Sequence, residues 1–126
     1  MPYKIMMSIV CIVPLIFSLA FVAIPEFFVL QWYPSAEGLA LEIAITHRYD
    51  MAGMLFMVVC FAFQSRNVEG VDNQKAILLG AAIAFSAMCA VIISIALFRG
   101  IPLDIPPMIA TGTLAALSFW SRSKLS

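Results

Sequence analysis

Two stretches of this chain, Ile5 to Ile24 and Ala76 to Phe98, contain no Asp, Glu, Lys, Arg or His. A helix needs about 20 mostly apolar residues to cross a bilayer, and each of these stretches meets that length. Two further segments belong with them. One has an apolar heart from Met51 to Phe63 and must start earlier, near Glu42, with a polar first turn or two. The other begins at Ile105. In lipid the backbone has to satisfy its own hydrogen bonds, so all four segments read as helices. A barrel would need alternating apolar and polar residues, and the sequence has no such run. The sequence therefore predicts an all-α, single-domain, integral membrane four-helix transmembrane bundle, with spans at 5–24, 42–64, 76–98 and 105–121.

Composition closes the other classes. The chain is 63% hydrophobic and 11% charged, against about 25% charged for a soluble domain. That excludes disorder and a disulfide-stapled secreted fold. Net charge is zero, which offers nothing to a polyanion, so no nucleic-acid partner is expected. Lys4 and Ser18-Leu19-Ala20 also fit a minimal signal peptide; the expectation is that the segment is kept as the first span.

Charge sets the orientation. Lys4, Arg66, Lys75, Arg122 and Lys124 are five of the seven basic residues, and a four-span bundle puts them on one side. Arg48 and Arg99 lie on the other. The basic side is expected to be cytoplasmic, with both termini there. Glu26, Glu37, Glu42, Asp50 and Asp104 make the outer side acidic. Trp32 and Tyr33 anchor the outer interface, and Tyr3 and Trp120 the inner one. This bias argues against a dual-topology dimer, and a first span without Glu argues against a small multidrug exporter.

The connection Pro25 to Pro34 is too apolar for a solvated loop. It reads either as a segment lying in the outer interface or as a lid over the bundle's outer mouth. Ser65 to Asn73 is a plain cytoplasmic connection. Gly100 ends the third span, and Asp104 stands where the fourth helix wants its N-cap, ahead of Pro106 and Pro107. Pro14 should kink the first span and free the Val10 carbonyl.

Helices in lipid associate where small residues allow close approach. The third span carries Ala76, Gly80, Ala84, Ala87 and Ser94 on one stripe, and the fourth has Gly112 and Ala116. These two helices are expected to pack tightly, within the bundle or between copies. Cys11, Cys60 and Cys89 lie in three different spans, with no CxxC and no metal-ligand spacing, so they read as small hydrophobes and no metal is expected. Met51, Met54 and Met57 fill apolar space or offer thioethers to copper(I) or haem.

One constellation is polar. On a helix at about 100° per residue, Glu42, Thr46, His47, Asp50 and Met54 fall within about 140° of arc, with Gly53 beside them and Arg48 pointing elsewhere. Ionisable groups near a bilayer tend to face the bundle interior or a wet cavity. His47 and Asp50 are i,i+3 neighbours. They suit an acid–base pair, or a haem-ligating His47 whose ring is oriented by Asp50. The structural alternative is the hydrated start of a helix, with Arg48 reaching headgroups or pairing with Asp104 or Glu26. No nucleophile motif or phosphate loop stands elsewhere.

A first span ending in Pro25, a second opening with His47-Arg48 and then Ala52-Gly53, and two spans rich in small residues resemble the DoxX-like group of small four-helix membrane proteins. That resemblance implies a partner-dependent role, as in membrane subunits of quinone-linked oxidoreductases. Glu37-Gly38, His47 and Gly53-Met54 are also similar to styrene oxide isomerase, a trimer that holds haem between protomers through a His. Its polar third-helix residues would fall in Phe85 to Ile92, where this chain offers only Ser86.

The expectation is a non-enzymatic membrane subunit or accessory protein, working in the bilayer through helix contacts with another membrane protein or as a homo-oligomer, without a cofactor. The alternative is a lipophilic-ligand or haem site centred on His47 and Asp50, with isomerase or redox activity. Transport is weaker, because the inner halves of the helices offer mainly Ser8, Ser86 and Thr113 as pore lining.

Overall fold

The computed structural model describes residues 2–126 as five helices. They are α1 (Tyr3–Ala23), α2 (Pro25–Trp32), α3 (Gly38–Ser65), α4 (Val71–Arg99) and α5 (Ile105–Ser123). No strand occurs among the described residues, so the chain is all-helical.

Three helices, α1, α3 and α4, are long and apolar enough to cross a membrane. The fourth expected span, α5, is not among them. Length is not what α5 lacks: its 19 residues reach about 28 Å at 1.5 Å per residue. Its apolarity is diluted by Thr111, Gly112, Thr113, Ser118, Ser121 and Arg122. Two of these hydroxyls turn inward, since Ser118 and Ser121 are 0% exposed. Ser118 Oγ donates to the Leu114 carbonyl at 2.7 Å, within its own helix.

The helices also run past the expected spans. α3 starts at Gly38 and α4 at Val71, before Glu42 and Ala76. With 28 and 29 residues they reach roughly 42 and 44 Å, longer than the ~30 Å hydrocarbon core. Hydropathy marks the depth of lipid, and the polar first turns continue the helix beyond it.

The connection after α1 is helical too. Pro25 restricts Ile24 to φ −136° and ψ 54°, which breaks α1, and then opens α2 as its first residue. The α2 helix packs on α3 and α1. By contrast α1 runs through Pro14 without interruption. Gly100, at φ 64°, ends α4 in the left-handed conformation that glycine adopts without strain.

Packing forms two pairs, α1 with α3 and α4 with α5, joined where α1 meets α5. Although consecutive, α3 and α4 make no extended contact among the described residues. The α1 helix buries Tyr3, Met6, Met7, Val10, Pro14, Ser18 and Phe21, an i,i+3/i+4 stripe. At the end near the chain termini, Met6, Met7 and Val10 join Ala62, Leu78 and Leu114 in the apolar core. There the Tyr3 hydroxyl donates to the Ser65 carbonyl at 2.8 Å, tying α1 to the end of α3. Midway, Ser18 Oγ donates to the Ala52 carbonyl at 2.8 Å. The opposite end is built differently, from aromatic rings and two buried charges.

Candidate functional site

The polar face of α3 does not line the interior. Glu42, Thr46, His47, Asp50 and Met54 are all exposed. His47 Nδ1 and Asp50 Oδ2 lie 3.9 Å apart, with 74% and 65% of their side chains exposed. Thr46 Oγ1 donates to the Glu42 carbonyl, one turn back in its own helix. The face that packs against the other helices is the opposite one, with Arg48, Ala52, Val59 and Ala62 buried. Of the two readings the sequence left open, an interior face or a helix face outside the packed interior, the exposure of these residues matches the second. Near the end of a long helix, charged groups reach water or headgroups at little cost, so their clustering marks the wet side. The small Ala52 lets α1 approach closely, and its register carries Arg48 inward with it.

Arg48 is 5% exposed and Asp104 6%. The Arg48 guanidinium lies between two rings, 4.9 Å from the Trp32 centroid and 5.3 Å from that of Phe21. Phe21 in turn meets Phe28 edge-on at 4.9 Å. Cation–π contacts of this kind strengthen when water is excluded. The guanidinium donates to the Phe28 carbonyl at a long 3.4 Å and to Met51 Sδ at 3.8 Å. It therefore ties α1, α2 and α3 together at the end of the bundle away from the chain termini.

Asp104 holds the N-cap position of α5, but its side chain makes no cap hydrogen bond. The reason is in the sequence. A cap carboxylate accepts from the second or third helical N–H, and here those residues are Pro106 and Pro107, which have none. The carboxylate turns inward instead. Burial raises its pKa above the usual aspartate range, against smaller opposing effects of the Arg48 charge and the Trp32 N–H. Arg48 and Asp104 feel one another through space without direct ion-pair contact. The buried Trp32 Nε1 favours the charged carboxyl yet has no acceptor in hydrogen-bond geometry.

Two shallow clefts open on either side of Trp32. One, of about 170 Å³, is lined by Val29, Ala44, His47, Arg48 and Met51, with the Arg48 side chain buried beneath its apolar walls. The other, of about 260 Å³, exposes Asp104 between Gln31, Leu103 and Ile105. Sequence reasoning named Arg48 and Asp104 as a structural pair and Asp104 as the cap of α5; the two prolines were the signal that its carboxylate could not cap the helix.

The remaining candidates are dispersed. No group of three His, Cys, Asp or Glu able to hold a metal occurs among the described residues. Cys11 Sγ contacts the Val59 carbonyl and Cys89 Sγ that of Met108, each at 3.7 Å, while Cys60 is exposed. Met54 and Met57 point outward, 66% and 59% exposed. The His47 side chain is 74% exposed.

The small residues divide between two surfaces. α4 packs on α5 through Leu78, Ala82 and Ile92, with Cys89 lying 3.7 Å from where a Cβ on Gly112 would sit. Gly80, Ala84 and Ala87 are on the other side of α4 and exposed, as are Ala76 and Ala116. The tight α4–α5 contact is real, but the Gly80 stripe does not make it.

Comparison of the chain with protein-family profiles, with curated proteins and with solved structures gives no match.

Proposed function

We propose that this chain is a four-span membrane protein with both termini in the cytoplasm, acting as a non-enzymatic subunit that docks a transmembrane helix along α4. The partner helix belongs to another membrane protein or to a second copy. The observation that carries this is the outward stripe of Ala76, Gly80, Ala84 and Ala87. Without a hydrophobic driving force between helices in lipid, a shallow groove of small residues is where a second backbone gains close packing. A Cβ on Gly80 would meet nothing within 4 Å, so the space beside it is open to a neighbour. The fourth span is α5, long enough to cross and with its serines turned inward. The excess of Lys and Arg on the side of the termini supports the orientation. The DoxX-like resemblance agrees with a partner-dependent role.

Gly80→Leu tests the proposal. It fills the groove without touching the bundle. The expected result is a folded monomer that no longer co-purifies with the partner or second copy retained by the native chain. A complex that survives Gly80→Leu unchanged contradicts the proposal.

A further inference from the structure

At the outer end, three polar groups from three elements converge without adequate partners. Arg48 makes only the two long contacts to Phe28 and Met51. The buried Trp32 N–H has no acceptor. Asp104 is buried beside them with its helix cap denied by proline. Two donor groups with poorly placed acceptors thus lie next to a carboxylate that caps no helix, and polar groups buried in that state carry a desolvation cost. The arrangement asks for a ligand that is anionic at one end and carries N–H donors at the other.

The position narrows its source. Arg48 lies 17 residues before Ser65 at the other end of α3, which is about 26 Å of helix. The hydrocarbon core is about 30 Å thick, so the site falls near the level of the outer headgroups. The cleft walls beside Arg48 and Asp104 are apolar, with Val29, Met51, Leu103 and Ile105. They suit acyl chains entering from the side.

We propose that the rim around Trp32 binds one outer-leaflet phospholipid through a phosphoethanolamine headgroup, the phosphate taken by Arg48 and the Trp32 N–H and the ammonium by Asp104. Arginine and the indole supply donors for phosphate oxygens. The carboxylate selects a primary ammonium, which donates hydrogen bonds that a quaternary choline lacks. The site depends on the membrane-spanning reading, and is independent of docking along α4.

The test is native mass spectrometry of the full chain after transfer through vesicles of equimolar phosphatidylethanolamine, phosphatidylcholine and phosphatidylglycerol. The native chain should retain one phosphatidylethanolamine over the other two. Asp104→Asn should lose that preference roughly tenfold, the scale of a charged hydrogen bond, while still holding phosphatidylglycerol. Trp32→Phe keeps the ring over Arg48 and should weaken retention of every phospholipid. Equal retention of the three lipids by the native chain overturns the proposal, since the clefts then take only water or bulk lipid. So does an unaltered preference in Asp104→Asn and Trp32→Phe. Adding free phosphoethanolamine should leave the lipid in place; its displacement by the soluble headgroup overturns the lipid assignment.

Discussion

Arg48 and His47 are neighbours in sequence with opposite fates, and the contrast gives the first prediction. Removing one member of a buried, mutually compensating group leaves the other charge uncompensated, at a cost of about 3 kcal/mol. Arg48→Ala also removes the cation between two rings, so thermal unfolding in detergent should show a loss of that order. His47→Ala, on the exposed face, should stay within about 0.5 kcal/mol of the native chain. Equal losses would mean that the inward and outward faces of α3 are misassigned. Asp104 gives a pH dependence. Because burial raises its pKa, the folded chain holds the proton more tightly than the unfolded chain does. Its contribution is therefore fully present below about pH 4 and is lost as pH rises through the folded value. Asp104→Asn should flatten that part of the stability-versus-pH curve; an unaltered slope would place its origin elsewhere. At this scale the sequence was only half legible. The prolines after Asp104 show on inspection that no cap can form. The inward turn of Arg48 depends on which face of α3 meets α1, and a helical wheel holds no information about neighbours.

Elements were more legible than contacts. Long apolar runs without strand-like alternation dictate helices, because lipid admits only helices and closed barrels, and α1, α3 and α4 follow. The α5 segment was read as a fourth span, but its Thr, Gly and Ser residues leave it outside the helices apolar enough to cross. The outer connection was recognised as too apolar for a loop, but Pro25 opening a new helix was not drawn from it. The two glycines at small-residue spacing test the packing directly. At Gly112 an added side chain meets Cys89 on α4, so Gly112→Leu should overpack the α4–α5 seam and cost about 1–3 kcal/mol. Gly80→Leu should cost nothing measurable in the isolated chain. If Gly80→Leu destabilises the monomer as much as Gly112→Leu, then the Gly80 stripe packs inside the bundle.

For the whole molecule, the two helix pairs leave α4 on the periphery, with α5 against one side of it and small residues along another. One end of the bundle is closed by an apolar core and the other by rings around a buried arginine. The topology is tested by labelling single cysteines in a cysteine-free background. Leu103→Cys should react only with reagent outside the cell and Lys124→Cys only after permeabilisation; labelling of both from one side would remove α5 from the spans. The central claim, that α4 is a docking face, is tested most directly by photo-crosslinking in the native membrane. A photoreactive residue at position 84, on the exposed stripe, should give one discrete adduct. Its mass should be that of a second copy or of a single partner polypeptide. The same residue at position 82, which is 0% exposed against α5, should give none. Discrete adducts from neither position 84 nor positions 80 and 87 would contradict the claim.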